Sequence, residues 1–85
     1  MGEYKIYFRA SVEKDLRKIP KKDAQIILQI IELLANEPRP TGCEKLTDQE
    51  KYRIRQGQFR ILYSIQDDEL TVRIVRIGHR KDVYR

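Results

Sequence analysis

Near its start the chain alternates between apolar and more polar positions with the two-residue period of a β-strand. Tyr4, Ile6 and Phe8 lie on one side of this pattern, and Lys5 and Tyr7 lie on the other. Because successive side chains point to opposite faces of a strand, the sequence predicts a first strand over residues 4–8 with one buried face.

The pattern then changes to the spacing of helices. Val12, Leu16 and Ile19 are spaced for one helical stripe and predict a short helix that ends at Pro20. A second helix is predicted over residues 21–36, with an unusually broad apolar face. A helix this apolar needs cover on more than one side, so we expect it to lie at the centre of the core or to contact a partner protein. Its apolar residues are Ala24, Ile26, Ile27, Leu28, Ile30, Ile31, Leu33, Leu34 and Ala35.

The second half of the chain has the pattern of strands. Strands are predicted over residues 52–55, 59–66 and 70–77, with turns at Gly57 and at residues 67–69. The order of elements predicts an α+β fold. An N-terminal strand is followed by a helical hairpin and an antiparallel three-stranded meander, forming one sheet with the helices on one face. A chain of 85 residues is expected to form a single domain over residues 1–85.

Positive charge is concentrated in the second half of the chain. The whole chain carries 18 Lys and Arg against 13 Asp and Glu, a formal net charge of +5. Residues 45–85 hold ten of the basic and six of the acidic residues, a net of +4, whereas residues 1–44 hold eight and seven, a net of +1. Much of the excess is arginine, whose planar and permanently charged guanidinium matches the geometry of phosphate. The charge therefore suits a polyanion such as nucleic acid.

The alternation of side chains gathers arginines on one surface. Arg53 and Arg55 lie on one face of their predicted strand, and the tight turn that follows brings Arg60 beside them on the next strand. This face points away from the helices and is expected to be exposed to solvent. A solvated sheet face would explain scattered arginines, but folding gives no reason to place like charges together, and Arg80 and Lys81 follow the last strand. We therefore expect a site that receives an anion.

Other side chains offer little alternative chemistry. The single cysteine and single histidine exclude an internal disulfide and a zinc site built from Cys and His, and no metal or cofactor is expected. His79 belongs to the residue type that titrates near neutral pH, and its place after the last predicted strand makes it an acid–base candidate, although a lone histidine is more often structural. No apolar run is long enough for a membrane span or a signal peptide, so a cytoplasmic location is expected.

Four segments, taken in order, resemble the RelE/ParE toxin superfamily and, within it, the RelE branch. The most specific are YRIRQGQFRILY and GHRKDVYR, and the segments ASVEKDLRKIPK and NEPRPTGCEKL agree with them. The resemblance extends over nearly the whole chain and implies a helical hairpin packed against an antiparallel sheet. It also implies a toxin that enters the ribosomal decoding site and cleaves mRNA without a metal, by attack of the 2′-hydroxyl on the adjacent phosphate. A small antitoxin is then expected to silence it.

The resemblance also implies roles for individual residues. The basic pair of the family falls on Arg53 and Arg55, its transition-state arginine on Arg60, its arginine after the last strand on Arg80 and its C-terminal tyrosine on Tyr84. Some family members carry lysines in place of the first pair. Because arginine stays protonated and is a poor general base, charge stabilisation is easier to assign here than proton transfer. Further contacts to RNA or to the ribosome are expected from Lys45, Lys51, Lys81 and Arg85.

Two other functions stay open at this point. A ParE-like toxin would share the fold but inhibit DNA gyrase, and it would not need the set of arginines and tyrosine. A noncatalytic nucleic-acid-binding module would share the positive charge, but it is expected to present aromatic side chains for stacking on the open face of the sheet. Phe59 and Tyr63 are instead predicted to face the helices.

Overall fold

The computed structural model describes residues 3–46 and 51–79. A strand at the N-terminus and a helical hairpin precede the remaining strands, and a short 3-10 turn, Asp67–Glu69, joins the last two. The elements are β1 (Lys5–Phe8), α1 (Ala10–Arg17), α2 (Lys21–Leu33), β2 (Glu44–Lys45), β3 (Lys51–Gln56), β4 (Phe59–Gln66) and β5 (Thr71–His79).

The strands form one five-stranded sheet in the order β1-β5-β4-β3-β2. The pairs β2–β3, β3–β4 and β4–β5 are antiparallel, whereas β1 lies parallel to β5. Strands β1 and β2 lie at opposite edges of the sheet, and α1 and α2 carry the chain from the first to the second. The predicted α+β fold is therefore confirmed. The strand β2 was not predicted, because two residues are too few to show an alternating pattern.

Most boundaries agree with the sequence pattern. The strand β4 has the predicted bounds, and β5 extends two residues beyond its predicted end, to His79. The helix α2 ends at Leu33 rather than near Asn36, because residues 34–36 already form a turn ahead of Pro38. None of the helices in residues 3–46 and 51–79 is long and apolar enough to cross a membrane.

The core lies between the helices and one face of the sheet. Ile27 and Ile31 of α2 pack there, and the predicted apolar face of β4 is buried. The hydroxyl of the fully buried Tyr63 donates a hydrogen bond of 2.7 Å to the backbone carbonyl of Pro38, which fixes the segment after α2 against the sheet. The other buried apolar residues are Val12, Ile19, Leu34, Tyr52, Ile54, Ile61, Ile65, Val72, Ile74 and Ile77.

One flank of the helical layer stays uncovered, which agrees with the excess of apolar residues in α2. Ile26, Leu28 and Leu33 are exposed, and Leu33 keeps 66% of its surface accessible. The prediction that Phe8 belongs to a buried face is wrong. It ends the edge strand β1 and is half exposed, and with Leu16 and Leu28 it lines an apolar groove of about 310 Å³ beside α1.

A polar network fastens the end of the sheet that lies far from the predicted arginine site. The guanidinium of Arg39 donates two hydrogen bonds, of 3.1 and 2.8 Å, to the carboxylate of Asp67, and its Nε donates to the Tyr52 hydroxyl at 3.0 Å. Tyr4 donates to the same carboxylate at 2.7 Å. The bonds from Arg39, and then the bond from Tyr4, lower the pKa of Asp67 to about 2. The network thus joins the N-terminus, the segment after α2 and the turn between β4 and β5.

Candidate nucleic-acid interface

The β3–β4 hairpin brings the predicted arginines together. Its register pairs Arg55 with Arg60 and Arg53 with Leu62. The turn requires a left-handed residue, and Gly57 supplies it with a φ of 60°. Because paired residues of neighbouring strands share a face, these arginines lie side by side on the face away from the helices, as predicted.

Arg60 differs from the prediction in its exposure. Only 4% of its surface is accessible, and its Nε atom is buried, so the prediction that it lies on a solvent-exposed surface is wrong. Arg60 lies in the central strand β4, opposite Gly78 of β5, whereas Arg55 lies in β3 beyond the end of β2 and is exposed. A guanidinium held in a region of reduced dielectric interacts more strongly with an anion than a fully hydrated one does.

Arg53 has an acidic partner that the sequence did not reveal. Its Nη2 donates to Oε1 of Glu44 at 3.0 Å, and only 15% of the Arg53 side chain is accessible. The two residues are register partners across β2 and β3, so this contact depends on the unpredicted strand. Glu44 fixes the guanidinium and offsets part of its charge. A phosphate that approaches Arg53 must therefore compete with this carboxylate.

The two predicted RNA-contacting lysines in the described ranges lie on different faces of the sheet. Lys51 of β3 pairs with Ser64, and it shares the face of the arginines at the opposite end of the strand. Lys45 of β2 pairs with Tyr52, so it lies on the side of the helices, apart from the arginines. The other predicted site residues, Arg80, Lys81, Tyr84 and Arg85, lie outside the described residues.

His79 does not join the arginines either. It pairs with Phe59 in the register, which places it on the side of the helices. Its Nε2 lies 3.0 Å from Oε1 of Gln58, and its ring meets the Phe59 ring edge-on with centroids 6.0 Å apart. His79 and Phe59 line part of a cavity of about 340 Å³ between the end of α1, with Asp15 and Lys18, and residues 76–78 of β5.

Two further arginines reach the face of Arg60 because of an irregularity in β5. The register pairs Tyr63 with Ile74 but Leu62 with Arg76, so Val75 is an extra residue in the strand. Beyond this bulge the alternation of side chains is reversed. Arg76 therefore lies beside Leu62, on the same face as Arg73, which pairs with Ser64. The sequence does not predict that these two arginines share a face, since an odd spacing in a regular strand places two residues on opposite faces.

A metal ion would need a cluster of ligand side chains such as His, Cys, Asp or Glu. Within residues 3–46 and 51–79, no group of three or more His, Cys, Asp or Glu side chains is placed to hold a metal ion. The charged groups that the described strand residues offer on this face are guanidinium and ammonium donors, together with the Glu44 carboxylate. Such donors bind an anion and stabilise negative charge.

The fold and the site define the class of protein to which the chain belongs. The family described as the ParE toxin of the type II toxin–antitoxin system parDE matches residues 6–84. The chain therefore belongs to this toxin family and to the RelE/ParE superfamily that the sequence resembles.

Individual relatives narrow this assignment. The chain is 32% identical to toxin RelG of Mycobacterium tuberculosis, over 96% of this chain and 97% of the relative. It is 30% identical to toxin RelE of the same organism, over 96% and 87%. A chain in the crystal structure of the toxin–antitoxin complex RelBE2 from M. tuberculosis matches with a TM-score of 0.80 and 28% identity, over 92% of this chain and 99% of that one. The protein is thus a RelE-type toxin of a type II toxin–antitoxin system.

Proposed function

We propose that this toxin is an endoribonuclease that cleaves mRNA on the ribosome and thereby inhibits translation. The observation that carries the proposal is the burial of Arg60 beside Arg55 and Arg53 on one face of the sheet. Donors that are fixed in place before the reaction stabilise charge developing on phosphate oxygens without the cost of reorganising water.

In the proposed reaction the 2′-hydroxyl oxygen of one nucleotide attacks the phosphorus that follows it. The bond from phosphorus to the 5′-oxygen of the next nucleotide breaks, leaving a 2′,3′-cyclic phosphate and a free 5′-hydroxyl. Arg55 and Arg60 donate to the non-bridging oxygens, where negative charge accumulates, and Arg53 assists once it has exchanged Glu44 for phosphate. These cations supply the electrostatic stabilisation, so the proposed mechanism requires no metal. The need for a 2′-hydroxyl makes the enzyme specific for RNA over DNA.

The two proton transfers need groups other than the arginine cluster, because arginine remains protonated. The resemblance to RelE toxins supports Tyr84 for orienting the 2′-hydroxyl, stacking on a base or accepting the proton. It likewise supports Arg80 for stabilising or protonating the leaving 5′-oxygen. His79 lies on the other side of the sheet edge, bonded to Gln58, so the geometry gives it less support as the acid or base.

Cleavage on translating ribosomes tests the proposal. The toxin is added to ribosomes stalled on a defined message, and the new RNA ends are mapped and their chemistry determined. Ends bearing a cyclic phosphate and a 5′-hydroxyl are expected, with cleavage by wild-type protein and not by Arg60→Ala. Inhibition of DNA gyrase by a toxin that leaves the message intact would instead identify a ParE-like activity. RNA binding with neither effect would identify a noncatalytic module.

A cognate antitoxin is the second part of the proposal. Three features support it: the exposed apolar residues of α2, the groove beside Phe8, and the solved toxin–antitoxin complex of the relative from M. tuberculosis. An acidic, partly disordered chain that folds on binding would cover apolar and basic surface together. Both antitoxin and ribosome imply action in the cytoplasm. Co-expression with the neighbouring open reading frame should yield a tight complex. A neighbouring product that neither binds the toxin nor relieves its toxicity would contradict this part.

A further inference from the structure

We propose that Arg76, Arg73 and Tyr7 extend the arginine site into a track that binds single-stranded RNA flanking the cleaved bond. The inference rests on the proposed function, because it assigns contacts to the same substrate. It differs from the roles implied by family resemblance, since none of these residues lies in the segments YRIRQGQFRILY and GHRKDVYR that carry the resemblance most specifically. This RNA track begins at Arg55 and Arg60.

The registers of the sheet place the RNA track in three successive rows across the open face. The first row contains Arg55, Arg60 and Gly78, the second contains Arg53, Leu62 and Arg76, and the third contains Lys51, Ser64, Arg73 and Tyr7. From Arg60 to Tyr7 the offset is roughly 13 Å along the strands and about 10 Å across them, given usual strand rise and spacing. The RNA track is therefore long enough for nucleotides beyond the one that is cleaved.

Three cations of the second and third rows, Arg76, Arg73 and Lys51, are available to a ligand. For Arg73, Arg76 and Lys51, the structure of residues 3–46 and 51–79 shows no hydrogen bond or ion pair of the side chain. Among the strand residues described on this face, Glu44 is the one acid, and it contacts Arg53. Unneutralised like charges on one face raise the local potential and attract a polyanion.

Tyr7 adds an exposed aromatic ring to the cations of the RNA track. It lies on β1, beside Arg73, and 49% of its surface is accessible. An exposed aromatic ring beside unpaired cations is the combination by which proteins bind single-stranded nucleic acid, because bases stack on the ring while the cations follow the phosphates. Its place opposite the face of Ile6 agrees with the alternation that the sequence shows in the first strand. A duplex would offer no free base to stack, so a single strand fits this surface better.

Binding of an uncleavable RNA tests the RNA track. The probe is a short single-stranded RNA with 2′-O-methyl groups, which lack the attacking hydroxyl, and its affinity is measured by fluorescence anisotropy over a range of salt concentrations. In the double variant Arg73→Gln/Arg76→Gln, the slope of log affinity against log salt should become shallower by about 1.4, because two phosphate contacts are lost. Tyr7→Ala should weaken binding by roughly 5- to 150-fold, and Tyr7→Phe should bind like the wild type because stacking survives.

The matched control removes the same amount of charge from the helical layer. Lys14→Gln/Lys22→Gln changes two exposed lysines of α1 and α2 and should leave the slope near its wild-type value. Because both double variants lose two positive charges, a difference between their slopes reports the position of the charges. Equal effects of the two double variants would overturn the RNA track, as would absence of RNA binding by the wild-type protein at low salt. Retained RNA binding with loss of the antitoxin complex would also overturn it, and would assign the face to the protein partner.

Failure of the RNA track and failure of the proposed function give different results. A wild-type toxin that cleaves messages on ribosomes, with track variants that bind RNA as the control does, refutes the track and leaves the nuclease. A wild-type toxin that cleaves no message, with track variants that lose RNA binding as expected, refutes the nuclease and leaves the track as an RNA-binding surface.

Discussion

Replacement of Arg60 by alanine removes the buried guanidinium of the site while leaving Arg53 and Arg55 in place. Arg60 has 4% of its surface accessible and lies opposite Arg55 and Gly78 in the central strand. If its guanidinium donates to the phosphate in the transition state, the rate of cleavage should fall on the order of 10²- to 10³-fold, the loss typical of removing one preorganised donor. Affinity for the ribosome should change far less, because the other cations remain.

The burial of Arg60 also sets the expected effect on stability. Truncation of an exposed side chain usually changes the free energy of unfolding by about 0.5 kcal/mol or less, whereas truncation of a buried one that leaves a void costs about 1–3 kcal/mol. In a domain of this size each kcal/mol shifts Tm by roughly 4–8 °C. Arg60→Lys keeps the charge and most of the aliphatic stem but loses the planar fork, so it should be more stable than Arg60→Ala and still slow.

Single-turnover cleavage on stalled ribosomes measures the rate, and circular dichroism gives Tm for each variant. Measurements are made well below the lowest Tm, so that every variant is folded in the assay. Arg55→Ala is the matched control, because it removes an exposed arginine of the same cluster and should leave Tm near the wild-type value. Cleavage at nearly the wild-type rate by folded Arg60→Ala protein would refute the assignment of Arg60. The nuclease proposal would then depend on Arg80 and Tyr84 alone.

Further predictions follow from other contacts. Binding to ribosomes should weaken steeply as salt rises, because phosphate contacts release counterions, and a salt-independent affinity in filter binding would exclude the basic face as the contact. Glu44→Gln should raise the affinity for the uncleavable RNA several-fold by removing a negative charge that competes with phosphate, and an unchanged or lower affinity would show that the carboxylate does not compete. The pKa of Asp67 is lowered from an ordinary 3.8 to about 2. This shift stabilises the folded protein at pH values above 3.8, and the stabilisation is lost as the pH falls from 3.8 through 2. Urea unfolding at a series of pH values should therefore show a smaller acid-induced loss for Asp67→Asn than for the wild type or for Asp68→Asn, and identical profiles would contradict this. Leu28→Asp should weaken the antitoxin complex at least tenfold in a titration without lowering Tm, since Leu28 is already partly exposed, and an unaltered complex would place the partner elsewhere.

The grouping of Arg53, Arg55 and Arg60 could be predicted from the sequence because it depends on local interactions. The three residues belong to one hairpin, whose turn at Gly57 fixes the register, and strict alternation then determines which side chains share a face. The apolar face of β4 and the excess apolar surface of α2 could be predicted for a similar reason, since each follows from the periodicity of a single element.

Tertiary structure decided the features that depend on pairing between distant segments. The burial of Arg60 does not follow from the pattern of its own strand, since Leu62 and Ser64 on the same face are only half-buried. The contact of Arg53 with Glu44 depends on a strand of two residues with no pattern of its own. The parallel pairing of β1 with β5, which places Tyr7 beside Arg73, joins strands that are far apart in the sequence.

The clearest case is the pair Arg73 and Arg76. Their spacing of three residues places them on opposite faces of a regular strand, so the sequence by itself separates them. In the folded protein Val75 is an extra residue opposite β4, and both arginines pair with residues of the same face, Ser64 and Leu62. A bulge is a property of two paired strands rather than of one, because it arises where their registers shift relative to each other. The sequence therefore determined which residues carry the charge, and the pairing of β4 with β5 determined that these charges lie on one surface.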